Sequence, residues 1–165
     1  MRRIIAFASP RKHESTKHLR SLRVFVFSWL ILFAALSIAT AAETTVLDAA
    51  ERGDRAAALH LLSKGANPNA AGPDGTTAIM WAATNDDVEL VRALIKAGAN
   101  VSLKNQFGTT ALTEAAIVGS PAVIDALLKA GADPNTKNPE GETPLMAVAR
   151  GGNVAAAKQI GRAHV

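Results

Sequence analysis

The side chains that ordinarily do chemistry are few in this chain. Its four histidines are His13, His18, His60 and His164. Two of them precede residue 43 and one is next to the last residue, which leaves His60 alone in the body of the sequence. A zinc site or an activated nucleophile needs several convergent groups. Ser63, Ser102 and Ser120 stand at loop or helix-end positions with no base in the surrounding pattern. There is no cysteine, so a thiolate nucleophile, a thiolate metal site and a disulfide framework are all excluded. Asp86 and Asp87 form an adjacent pair of carboxylates, but they lie just ahead of an apolar stripe, where acids suit the start of a helix. Neither a G-x-x-x-x-G-K phosphate loop nor a G-x-G-x-x-G fingerprint occurs. Asn100-Val101-Ser102 fits a glycosylation acceptor, a short pattern that arises often by chance. These residues predict no catalysis, no metal and no cofactor.

What the sequence does carry is a repeat. "LLSKGANPN", "LIKAGANVS" and "LLKAGADPN" are near-copies, and their glycines, Gly65, Gly98 and Gly131, are spaced by 33 residues each time. A fixed period of this length signals stacked supersecondary units. Within one period, Ile79, Met80, Ala82 and Ala83 make a short helical face, and Leu90, Val91, Leu94 and Ile95 make a second stripe of helical period. The next period repeats this with Leu112, Ala115 and Ala116, then Val123, Ile124, Leu127 and Leu128. Gly98 is expected to end its helix in a left-handed conformation. Ser120-Pro121 and Thr143-Pro144 read as helix starts, a cap followed by the proline that a first turn tolerates. Neither short helix buries its stripe alone, so the pairs must stack. The alanine pairs Ala49-Ala50, Ala82-Ala83 and Ala115-Ala116 allow close approach.

The phrases "GTTAIMWAA", "GTTALTEAA" and "GETPLMAVA", combined with the "LLxxGAxxN" phrase at constant spacing, resemble ankyrin repeats over about residues 44 to 160. The resemblance implies an all-α, ankyrin-type solenoid of stacked helix-turn-helix repeats with extended loops, about three full repeats plus a truncated one, in a domain spanning 43–160. It departs from the family pattern where the usual proline is Ala78 and Ala111, and where the usual histidine is Met80, Thr113 and Met146; looser loops are expected there. The resemblance also implies that a protein partner is held on a concave surface of loop tips and first helices. Carried onto this chain, the partner-binding candidates are Asp74, Thr76, Trp81, Gln106, Phe107, Glu114, Glu140 and Glu142, with Thr84, Asn85, Ile117, Val118 and Arg150 as further first-helix positions. Phe107 is the candidate anchor, and packing on the next tip is its alternative; Trp81 is expected as half-buried scaffold.

Charge and hydropathy set the N-terminal segment apart. Seven of the 18 lysines and arginines, but one of the 14 acids, precede residue 43. The remainder holds 11 basic and 13 acidic residues, so the overall basicity is no sign of nucleic-acid binding. A basic stretch, the apolar run Val24–Ala39 and the small residues around Ala39-Thr40-Ala41 have the order of an export signal. Residues 1–42 are expected to be a signal peptide, or a signal anchor, and the protein is expected to be exported to a bacterial periplasm; the alternative is a membrane tether through residues 24–39. A non-catalytic monomeric binding module is the expected function. The other reading is a regulatory or targeting segment of a longer, truncated enzyme. Extending the register places Gly161 where Leu128 predicts an apolar residue, which marks 161–165 as an expected non-native tail.

Overall fold

The computed structural model describes residues 44–163. The expected leader, with its export and tether readings, lies outside the described residues, as do His164 and Val165. Among the described residues there are eight helices: α1 Val46–Glu51, α2 Arg55–Ser63, α3 Ala78–Thr84, α4 Val88–Lys96, α5 Ala111–Val118, α6 Pro121–Lys129, α7 Pro144–Arg150 and α8 Val154–Arg162. They pair in sequence as four repeats. The first helices stack in the order α1, α3, α5, α7 and the second helices in the order α2, α4, α6, α8, so the fold is an all-α solenoid two layers thick. A lone antiparallel bridge joins Ala71 to Thr77 in the loop before α3.

Each recurring phrase builds one helix end. Gly65, Gly98 and Gly131 adopt φ of +84°, +92° and +91°, a conformation that costs glycine little and other residues more. The reversal lets the next alanine reach back. The N–H groups of Ala66, Ala99 and Ala132 donate to the carbonyls of Leu61, Leu94 and Leu127 at 3.1, 2.9 and 3.0 Å, which satisfies helix-terminal acceptors in each copy. Two residues after each glycine, Asn67, Asn100 and Asp133 accept from the backbone N–H of Asn69, Ser102 and Asn135 at 2.9 to 3.0 Å. The period is therefore one of hydrogen bonds as well as of apolar residues.

Helix starts follow the expected chemistry. Ser120 caps α6 with Pro121 in its first turn, Thr143 caps α7 with Pro144 in its first turn, and Asp87 caps α4 by accepting from the N–H of Leu90. The alanine pairs are buried in every first helix where they occur, and Ile79, Leu90, Leu94, Leu112, Ile124 and Leu127 are fully enclosed between layers. Ile95 and Leu128 close the edge of that core, half-buried. At the far end, α8 runs on through Gly161 to Arg162, and Ile160 is buried at the place that Leu127 holds one repeat earlier. Gly161 itself faces open space.

Candidate interaction surface

The tips between repeats are each closed by the amide or carboxylate of one side chain. In the third tip, Asn105 Oδ1 accepts from the N–H groups of Phe107 and Thr109 at 3.0 and 3.1 Å and from the Thr109 hydroxyl at 2.9 Å. Asn138, 33 residues on, accepts from the Glu142 N–H at 2.8 Å. In the second tip the equivalent position is Gly72, and Asp74 takes over: it accepts the Thr76 hydroxyl at 2.6 Å and the Thr76 N–H at 3.0 Å. Those two bonds, the hydroxyl first, hold the Asp74 carboxyl below the usual carboxylate range, because both favour its charged form. Successive tips are also joined. The Gln106 N–H donates to the Asp74 carbonyl at 2.8 Å, and a Cβ at Gly108 would come within 2.8 Å of Pro139 Cδ, so glycine there lets the third tip lie against the fourth.

This places the expected tip residues in three groups. Asp74 and Thr76 face each other and hold the tip in shape. Gln106, Phe107 and Glu140 expose their side chains, and Phe107 is 59% exposed. The tip-to-tip contact is made by Gly108 and Pro139 and leaves the Phe107 ring in solvent. Glu142, half-buried, pairs with Arg150 of α7 at 2.9 Å.

On the first helices, Trp81 and Glu114 occupy equivalent places and are both half-buried; Trp81 leans on the core as scaffold. Thr84 turns its hydroxyl to the Met80 carbonyl and Asn85 donates to Ala50 O of the preceding repeat at 3.0 Å. The same two places in the third repeat hold Ile117 and Val118, 54% and 44% exposed. Helix α5 has α3 on one side and α7 on the other, so these side chains are not exposed for want of a neighbour. Met146 differs. Its equivalents Met80 and Thr113 are buried, and it is 57% exposed because α7 is the last first-layer helix described.

The ankyrin repeat family model matches residues 46–138 as three copies, more than half of the chain. The chain belongs to the ankyrin repeat family. No curated protein matches it. The fourth repeat of this ankyrin chain lies beyond the matched span, yet its cap, first-turn proline and buried Ala147 and Val148 follow the same plan.

Residues that tie repeats together escaped the sequence reading. Asn69 donates to Gly98 O at 3.0 Å and accepts from the Asn100 N–H at 2.7 Å. Arg55 reaches from α2 to Asp87 and Glu89, each at 2.7 Å. The 33-residue spacing of Asn105 and Asn138 was a usable signal for the tip-closing role; Arg55 has no periodic counterpart and left none.

Charge is divided between the layers. The second helices carry Arg55, Arg92, Lys96, Lys129, Lys158 and Arg162 against Glu89 and Asp125. Between α4 and α6 a shallow cleft of about 320 Å³ is lined by Arg92, Ile95, Lys96, Asp125, Ala126, Lys129 and Ala130. Lysines in these last turns complement the helix dipole, and Lys129 is held by Asp125 at 2.7 Å.

Proposed function

We propose that this protein is a non-catalytic module that holds a protein partner on the surface formed by its tips and first helices, with Phe107, Ile117 and Val118 as the apolar centre. One observation carries the reading: three large apolar side chains from a single internal repeat are left in solvent although repeats pack on both sides of it. Exposed apolar side chains on one repeat offer a partner apolar area to bury, and burying each such side chain contributes about 1.5–3 kcal/mol. Ankyrin repeats are in general protein-protein interaction modules, which agrees with it. The order of basic, apolar and small residues in 1–42 supports action outside the cytoplasm, in a bacterial periplasm. N-terminal sequencing of the secreted protein tests that part: a start at Ala42 or Glu43 agrees with export, and an intact Met1 favours the tether.

The binding reading is tested with Phe107→Ala combined with Ile117→Ala, in cross-linking capture from the exported fraction of the source cells. Partner capture is expected to fall by at least about tenfold, the equivalent of about 1.4 kcal/mol, while the melting temperature stays close to that of the parent protein. Capture that persists unchanged, or a variant that no longer folds, removes the apolar centre from the site.

A further inference from the structure

Aspartate or asparagine followed by glycine is the peptide pair most prone to rearrange unaided, because a glycine without a side chain leaves its own nitrogen open to approach. The sequence holds one such pair, Asp74-Gly75. The reaction closes a five-membered ring. The Gly75 nitrogen attacks Asp74 Cγ, the N–Cγ bond forms, the Cγ–OH bond breaks, and the amide proton and the hydroxyl leave as water. Water then opens the imide at one carbonyl or the other, restoring aspartate or leaving isoaspartate, in which the chain runs through Cβ and Cγ. Water is the sole co-reactant. Glu140-Gly141, the same place two repeats on, would have to close a six-membered ring and is far slower.

The second tip restrains both atoms that must meet. The Gly75 N–H donates to Gly72 O at 2.9 Å. Both carboxylate oxygens of Asp74 are taken up by Thr76, Oδ2 by its hydroxyl at 2.6 Å and Oδ1 by its N–H at 3.0 Å. These bonds favour the ionised carboxylate, whereas the neutral carboxyl is the form that is attacked. A Cβ on Gly75 would lie 3.2 Å from Asn105 Cα, so the third tip also lies against the glycine backbone. We infer that Asp74-Gly75 is a site of isoaspartate formation in this protein, and that Thr76 holds its rate down. The consequence is local and lasting. The Asp74 carbonyl, which accepts the Gln106 N–H at 2.8 Å, leaves the main chain as a free carboxylate and the backbone gains a methylene, so the joint between the second and third tips is undone beside Phe107.

Incubation of the full chain for weeks at neutral pH, followed by peptide mapping, reads the reaction as a retention shift at unchanged mass in the peptide that carries Asp74. Isoaspartate is expected there at least about tenfold more slowly than in the same chain unfolded in urea, because the tip must open first. Thr76→Val is expected to raise the folded-state rate severalfold, and Thr76→Ser, which keeps the hydroxyl, to leave it near that of the parent. Thermal melts establish that each variant is folded, and Thr76→Ala replaces Thr76→Val if the latter is not. Thr109→Val removes the matching hydroxyl bond, to Asn105 Oδ1 at 2.9 Å, from the third tip and is expected to leave the rate at Asp74 unchanged. Equal acceleration by Thr76→Val and Thr109→Val would overturn the role of Thr76, since general loosening of the tips would then account for it. A Thr76→Val rate equal to the parent's would do the same. A parent rate equal to that of the unfolded chain would overturn protection by the tip altogether, and an unfolded chain that forms no isoaspartate at Asp74 would overturn the site.

Discussion

The second and third repeats open with nearly the same phrase, GTTAIMWAA against GTTALTEAA, and put their variable positions to different uses. In the second, those positions bind backward: Asn85 donates to Ala50 O, and Asp87 receives Arg55 from α2. In the third, the same places are Ile117 and Val118 at the end of the first helix and Ser120 at the start of the second, and none of them makes a polar contact with the repeat before it. One repeat is a joint and the other presents a surface. Within a shared frame, then, a first helix whose end is tied back to the preceding repeat by side chains leaves little there to offer a partner, and one whose end is not so tied can offer much.

The sharpest test of that division is at the second-helix caps. Asp87 is almost buried, accepts from the Leu90 N–H at 3.0 Å and holds Arg55 Nε at 2.7 Å. Asp87→Ala removes a cap and a charge-assisted bond together and is expected to cost about 2–3 kcal/mol. Ser120→Ala removes a cap alone, for about 1 kcal/mol. Urea denaturation of both variants measures the gap; equal losses would mean that the tie to Arg55 contributes nothing and that the second repeat is no more a joint than the third. The outer arm of the same cluster, Arg55 to Glu89, is exposed and is expected to add little.

A smaller contrast lies at the first-helix caps. Thr110 accepts from the Thr113 N–H at 3.2 Å and its hydroxyl lies 3.1 Å from the Thr113 hydroxyl, both buried. Thr77 occupies the same place in the second repeat, but the residue three ahead is Met80, and the buried Thr77 hydroxyl has no partner. Thr110→Val is therefore expected to destabilise by about 1–2 kcal/mol, since it also strands the Thr113 hydroxyl. Thr77→Val, which removes an unsatisfied polar atom and keeps the shape, is expected to change stability by less than about 0.5 kcal/mol, or to raise it. Thermal melts of the two variants decide it, and matched losses would show that Thr77 finds a partner in solution.

These cases show where the sequence was legible. The helix ends at Gly65, Gly98 and Gly131, the Ser120-Pro121 and Thr143-Pro144 starts, and the enclosed stripes were all readable, because each is a local pattern that recurs at one spacing. The tip was read less well. Asp74 and Glu140 are equivalent by register, but Asp74 is turned inward because Gly72 lacks the side chain that Asn138 provides in the fourth repeat. Met146 carried no sign of its exposure, since that depends on which helix comes next. Arg55 and Asp87 lie 32 residues apart with no counterpart in the other repeats, so no period could have joined them.

The smallest effect distinguishes the two tips by acid. Asp74 closes the second with a carboxylate and Asn105 closes the third with an amide, through bonds of similar length. The carboxyl of Asp74 is held below its usual range by the Thr76 hydroxyl and N–H, so its folded-state pKa lies under its unfolded one. A group of that kind adds stability that is present above the unfolded pKa, about 4 for a carboxylate, and is lost as pH falls through the folded value. Asp74→Asn keeps an acceptor and removes the titration. The parent protein is therefore expected to melt slightly above the Asp74→Asn variant at neutral pH, and the gap should close as the pH is lowered below about 4. Asp48, lowered in the same direction by its bonds to Thr45, titrates equally in both proteins and cancels in the difference. A gap that stayed constant down to acid pH would mean that Thr76 does not favour the charged form of Asp74, and that the two tips are closed by acceptors of one kind.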